Sequence, residues 1–360
     1  MRGSTGEELQ YSDYLGLDVF LKAPVPESGR VPGAVHDETL FIIAHEVREL
    51  WLKEILHELK SVLELFSVVP LGRRKIGLIA ARLGRLVAVQ RIMNRQMEVL
   101  ETISPLDFLE LRDRFSSNTM FESSRLREIE LRLGLAARGT QQSLDRFRPE
   151  ERAALRKAQG EKSLFEAVDD WLTTMPFRSI DMREFWSRYR KIVHDTLERD
   201  YQSVQSDPRL SGWDRKRQLG RLENAHYRFD ALFKPEEYEL LREEGLFHFR
   251  QSAVLSALFL LLYREEPFLD GPFTILKRLM DIDDQLVAWR IDRALFQQQV
   301  WGAKLGPGGS TSYDYVQETM EEKRIFKDLS GLATFLVSRS DLPALPQEIR
   351  RSIDVHFGSD

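Results

Sequence analysis

No cysteine occurs among the 360 residues, which excludes disulfides, thiolate nucleophiles, cysteine-ligated zinc and iron–sulfur clusters and makes a reducing compartment the natural setting. Long apolar runs are also missing. The longest, AVLSALFLLLY at 253–263, falls well short of the roughly 20 residues that cross a bilayer, so it reads as a buried helix and no membrane partner is expected. The first ten residues, MRGSTGEELQ, lack the apolar centre of an export signal, and the expectation is a soluble cytoplasmic protein. Basic charge is not in excess: 52 lysines and arginines against 57 acidic residues leave a formal charge of −5, which argues against a nucleic-acid partner. The short run Arg73-Arg74-Lys75 reads as solvated turn residues. Alternating patterns closed by hairpin turns are absent too, so a sheet has no sequence support.

Helical periodicity fills the gap left by these absences. Leu83, Leu86, Gln90, Met93, Met97 and Leu100 step by three or four, an apolar stripe interrupted once by glutamine. Ser104-Pro105 with Asp107 then gives an N-cap, a proline at the first helical position and an acidic residue in the first turn, which start a new helix. Further helical patterns cover 37–68, 121–135, 149–174, 182–205, 210–231, 235–263, 271–301 and 313–338. The expected fold is all-α. Two segments rich in glycine and proline, 23–33 and 302–312, each adjoin a long helix, so a single domain over 1–360 with an N-terminal arm at 1–36 is expected. No fixed-period repeat suggests a solenoid.

Four features invite chemistry. On the helix containing FIIAHEVRELWLKEILHELKSVL, His45 shares a face with Phe41, Leu52, Leu56, Leu59 and Leu63, and a buried imidazole needs a hydrogen-bond partner or a ligand. Glu49, one turn on, is a candidate proton acceptor or second metal ligand, whereas His57 sits about 120° round the helix and cannot join the pair. Ile282, Leu286, Trp289, Arg293, Phe296 and Val300 step by fours and threes, placing Arg293 in a core-facing stripe as either an internally paired cation or an anion site. The loop GAKLGPGGSTS carries four glycines and three hydroxyl residues; it is either a plain turn or a nest of amides for a carboxylate or phosphate. It is no P-loop, because no Gly-Lys-Ser/Thr closes it. Arg112, one turn after Phe108, pairs an aromatic with a guanidinium in a way that suits an amino-acid ligand.

Taken together, YSDYLGLD, HDETLFIIAHEVRELW, LDFLELRDRF, DDWLTTMP and YREEPFLDGPFTILKRLMDIDDQLVAWR resemble the tryptophan 2,3-dioxygenase family over nearly the whole chain. The resemblance implies an all-helical, homotetrameric oxidoreductase that uses haem b to insert both atoms of dioxygen into the indole ring of tryptophan. It implies that His45 is the distal histidine in contact with substrate and that Phe41, Phe108 and Thr119 line the pocket. By the same resemblance Arg112 holds the substrate carboxylate, and Tyr11 and Tyr14 reach a neighbouring subunit's site.

Two positions depart from the family's pattern. Where the family reads WR-x-x-H and uses that histidine as the proximal haem ligand, this chain reads WRIDR, with Arg293 at the ligand position. Where the family's glycine loop has the threonine that meets the substrate ammonium, this chain has Pro307. A protonated guanidinium has no lone pair for iron. Three readings stay open: haem held by another axial ligand such as His45, a haem-free cavity in which Arg293 clamps an anion for a different reaction on an aromatic amino acid or indole, or a haem-free protein that only binds such a ligand.

Overall fold

The computed structural model describes residues 10–22, 36–68, 70–112, 123–135, 144–145, 147–175, 182–301, 323–345 and 347–358. Among them every regular element is helical, as the periodicity predicts. Two short N-terminal turns, α1 (Tyr11–Leu15) and α2 (Leu17–Phe20), precede the long α3 (Glu38–Phe66), α4 (Arg73–Arg95), α5 (Met97–Leu100), α6 (Pro105–Arg112) and α7 (Ser124–Leu133). The chain continues through α8 (Pro149–Gly160), α9 (Leu164–Thr173), α10 (Arg183–Ser206), α11 (Gly212–Ala231), α12 (Pro235–Glu243) and α13 (Gln251–Leu262). It ends with α14 (Asp270–Trp301), α15 (Lys327–Gly331), a 3-10 turn at Leu332–Phe335, and α16 (Gln347–Gly358).

The frame that matters for the site is a three-helix layer in which α3 and α14 both pack along α4. The stripe on α4 and α5 explains why: Leu83, Leu86, Gln90, Met93, Met97 and Leu100 are all buried, the glutamine included. One large apolar core runs from Leu52 to Phe357, and a smaller cluster caps it at the α3, α5, α6 and α14 ends. The helix 253–263 is buried as expected, and α6 starts as expected, with the Asp107 amide donating to Ser104 Oγ at 3.2 Å.

Four sequence expectations need correction. The stretch 149–174 is two helices, because Glu161 is extended and Ser163 caps α9 through a reciprocal box with Glu166. The stretch 235–263 is also two. After α12, Gly245 adopts φ +74°, a conformation open to glycine, and the Leu246 amide closes back on the Leu241 carbonyl at 2.9 Å. Arg73, Arg74 and Lys75 form the first turn of α4 and do not lie in a loop. Residues 302–322, and with them the glycine loop and the start of the expected helix 313–338, lie outside the described residues, as do 23–35; from 323 to 338 that stretch is no single helix but a turn, the short α15 and a 3-10 turn, since the amides of Ile325 and Phe326 bond to Asp283.

The continuation after 322 is fastened to α14 by Asp283, with Asp284 holding Arg324 at 2.8 Å beside it. Asp283, only 1 % exposed, accepts from the Ile325 amide at 3.0 Å and the Phe326 amide at 2.7 Å. Burial pushes its carboxyl up to about 6, against the opposing pull of those two amides and of Arg324 and Arg290. Asp283→Asn keeps one acceptor and turns an amide NH2 towards a buried N–H. A loss of about 2 kcal/mol or more in urea unfolding is expected, and an unchanged midpoint contradicts this anchoring role.

Candidate functional site

The smaller cluster joins Phe41 and Ala44 of α3, Met97 and Leu100 of α5, Ile103, Phe108 and Leu111 of the α6 region, and Phe296 and Val300 of α14. Its rings form a column. His45 stacks on Phe41 with centroids 4.1 Å apart, Phe41 meets Phe108 edge-on at 6.3 Å, and Phe108 meets Phe296 at 5.6 Å with planes 88° apart. Edge-to-face contacts of this kind favour a fixed arrangement over a loosely filled core.

The expected Arg293 stripe is real: Ile282, Leu286, Trp289, Phe296 and Val300 are buried, and the Arg293 guanidinium lies over the Trp289 ring at 5.3 Å. His45 and Arg293 therefore belong to one neighbourhood although 248 residues separate them, and the Arg293 charge acts on the imidazole.

Glu49 is not the partner of His45, contrary to the first of the sequence alternatives. It binds Arg125 at 2.8 Å, while His45 Nδ1 lies 2.8 Å from the Phe41 carbonyl. A carbonyl only accepts, so Nδ1 carries the proton and Nε2, itself buried, is the acceptor nitrogen. Burial, then the Arg48 charge, and more weakly Arg293, lower the imidazole pKa to about 4, the Phe41 carbonyl opposing them. The ring is neutral at neutral pH.

This neutrality has a measurable sign. A folded pKa depressed below the usual 6.5 means that the unfolded chain takes the proton first, so stability is full above pH 6.5 and is lost as pH falls towards 4. Asp283, raised to about 6, pulls the other way over much of the same window. The difference between the wild type and His45→Gln isolates the imidazole; its slope is expected to reach about 1.4 kcal/mol per pH unit between 6 and 4. Parallel stability curves for the two proteins would contradict a buried neutral His45.

Of the other sequence candidates, Phe41 and Phe108 are buried in the ring column. Arg112 is the last residue of α6, which places its backbone one turn beyond Phe108, and its side chain is outside what is described. Thr119 and Pro307 lie outside the described residues. Tyr11 and Tyr14 are 75 % and 74 % exposed on α1, away from any core. One residue of the neighbourhood escaped the sequence reading. Arg48 is 8 % exposed, on the same buried face of α3 as Phe41 and Leu52, and its signal was the spacing that singled out Arg293: a cation in an apolar stripe.

A cleft of about 400 Å3 lined by Tyr263, Arg264, Glu266, Arg339 and Arg350 shares no residue with this neighbourhood. Its charges already close on one another, Arg339 on Glu265 and Arg350 on Glu266.

Fold and site define an all-helical protein with a buried, aromatic-walled polar centre held between the ends of α3, α6 and α14. A family model described as Tryptophan 2,3-dioxygenase matches residues 1–336. The chain is 36% identical over 356 residues to the tryptophan 2,3-dioxygenase of Alteromonas mediterranea, covering 98% of each chain. It is 36% identical to that of Bdellovibrio bacteriovorus, covering 97% of this chain and 99% of the relative. The protein of the same name from Dictyostelium discoideum is 33% identical over 98% of this chain and 89% of its own length. The chain belongs to the tryptophan 2,3-dioxygenase family.

Family membership implies haem, and the donor chemistry of the residues present decides whether they fit it. At the α14 position where the resemblance places the iron ligand stands a guanidinium, which donates hydrogen bonds and offers no lone pair. Among the described residues His45 is the one histidine of this neighbourhood, and it stands on α3. Elsewhere His194 meets Asp230 and His248 lies near Asp328. This donor set does not fit haem ligated from α14.

Proposed function

We propose that this chain is a divergent oxygenase of its family that recognises an aromatic amino acid or indole compound, with tryptophan the first candidate, in a single helical domain. In this reading the Phe41, Phe108 and Phe296 rings form an apolar wall for the aromatic ring, with Thr119 at its border. His45 Nε2 accepts a hydrogen bond from the indole N–H or acts as base, and Arg112 forks the carboxylate. The observation that supports this most is the neutral, tautomer-fixed imidazole stacked on an aromatic column. A polar acceptor in an apolar surround suits a ligand with one N–H on a flat ring.

Haem b belongs to the reading through the family, but no step is derived through it, because Arg293 replaces the donor. That same observation favours a second reading, in which the protein binds the aromatic ligand without haem or uses the cavity for non-oxygenase chemistry. The α1–α2 arm supports a homotetramer: Tyr11, Tyr14, Leu15, Val19, Phe20 and Leu21 are all exposed there, and in a tetramer Tyr11 and Tyr14 would reach a neighbour's pocket. A cytoplasmic location follows from the same reading, and no described helix is long and apolar enough to cross a membrane.

Titration calorimetry with L-tryptophan, L-phenylalanine and indole, followed by mass spectrometry of aerobic incubations, tests the proposal. Saturable binding of an aromatic amino acid and an oxygenated product are expected. Binding without product selects the second reading, and no binding of any of the three overturns both.

A further inference from the structure

Three arginines are buried to within a few per cent of each other, and two of them show what burial demands. Arg132, 7 % exposed, is held by Glu128 at 2.7 Å and Glu161 at 2.6 Å. Arg290, 8 % exposed, is held by Glu130 at 3.2 Å and the Lys323 carbonyl at 3.3 Å. Arg48 is equally buried at 8 % exposed, its Nε has no hydrogen-bond partner, and among the described residues no carboxylate lies within ion-pair distance of its guanidinium. The nearest help is the charge of Glu49, which is already committed to Arg125. Whereas the carboxylates of Arg132 raise its pKa, burial lowers that of Arg48. A buried guanidinium without a partner costs several kcal/mol in general and is kept where a ligand completes it.

Its place says which ligand. Along α3, Phe41, Arg48 and Leu52 all point within about 60° of His45, so the guanidinium stands beside the imidazole on the face that meets the ring column. Arg293 brings a second positive charge to the same imidazole from α14. Two cations beside a neutral ring, one of them the buried Arg48 with no acid of its own, form an anion site.

We propose that Arg48, together with Arg293, binds an oxyanion group beside His45, a carboxylate or phosphate separate from the α-carboxylate assigned to Arg112. The oxyanion is either a second acidic group on the aromatic ligand or a small free anion bound beside it. The first case deepens the proposed function and rests on it; the second stands without it. Both differ from the family's pattern, in which position 293 faces iron.

The test uses the full chain with three probes, L-phenylalanine, 4-carboxy-L-phenylalanine and inorganic phosphate, measured by calorimetry and by thermal unfolding. If the anion is carried by the ligand, the wild type binds 4-carboxy-L-phenylalanine roughly tenfold or more tighter than L-phenylalanine, a charged hydrogen bond being the difference. That ratio falls to about one in Arg48→Met. If the anion is free, phosphate raises the melting temperature of the wild type and not of Arg48→Met. Without any probe, Arg48→Met is expected to melt higher than the wild type, since an uncompensated charge has been removed. Arg48→Lys, which keeps the charge, should retain part of whichever response the wild type shows and serves if the methionine variant does not fold. Failure of L-phenylalanine and L-tryptophan to bind, with a phosphate response that needs Arg48, sinks the aromatic-ligand reading and keeps the anion site. A wild type indifferent to both the extra carboxylate and phosphate, or responses unchanged in the Arg48 variants, overturns the anion site.

Discussion

Arg293→His is expected to give a protein that takes up haem through α14, with a Soret band and an iron-to-chain ratio near one after haem-supplemented expression, whereas the wild type shows no haem tied to that helix. The replacement changes two things at once. It supplies an imidazole lone pair at the position the family uses, and it removes a positive charge that acts on His45. Outer-shell partners of a metal ligand alone change affinity by about 10–100-fold, so a whole ligand is expected to change it by more. The neighbouring Trp289 and Phe296 are unaltered in this variant. Absorption spectra of both proteins, with iron measured per chain, decide it. A colourless histidine variant, or identical spectra for the two, contradicts the role given to Arg293.

Arg112→Met is expected to weaken L-tryptophan binding by about 30- to 1,000-fold, the equivalent of about 2–4 kcal/mol for leaving a desolvated carboxylate without its guanidinium. Tryptamine, which carries the same indole and no carboxylate, supplies the control. Its affinity should be low in the wild type and change little in the variant. Equal losses for both compounds mean that the substitution disturbs the end of α6 and not a carboxylate contact, because Phe108 of that helix sits in the ring column.

Much of the helical frame was legible because the buried stripes are regular. The run from Leu83 to Leu100 and the run from Ile282 to Val300 each needed only residue spacing; the first is buried throughout, and in the second the apolar members are buried while Arg293 is half-buried. What periodicity missed was where helices stop. The breaks at Ser163 and Gly245 depend on a side-chain cap and a positive φ inside stretches whose apolar spacing continues on either side. Periodicity does not see either event.

The site was legible in part. Spacing placed His45 and Arg293 on inward faces, but it could not bring α3 and α14 together, and it offered Glu49 as proton acceptor or second metal ligand where the Phe41 carbonyl of the same helix accepts from the ring. Arg48 went unnoticed beside the histidine because an arginine among HEVRELW looks like one more surface charge. Only its burial and lack of a partner distinguish it from Arg125 or Arg85, which are half exposed and meet acids. The family resemblance named Arg112, Thr119, Tyr11 and Tyr14, none of which local pattern singles out strongly.

The central claim is that α14 presents the Arg293 cation to the aromatic neighbourhood of His45, at the position where the family resemblance places an iron ligand. A crystal structure of the wild-type chain grown with both haem and L-tryptophan measures this most directly. The account predicts the Arg293 guanidinium directed inward over Trp289, tryptophan against the Phe41–Phe108 wall, and no iron bonded to α14. Iron protoporphyrin fastened to α14, or Arg293 extended into water, would contradict it.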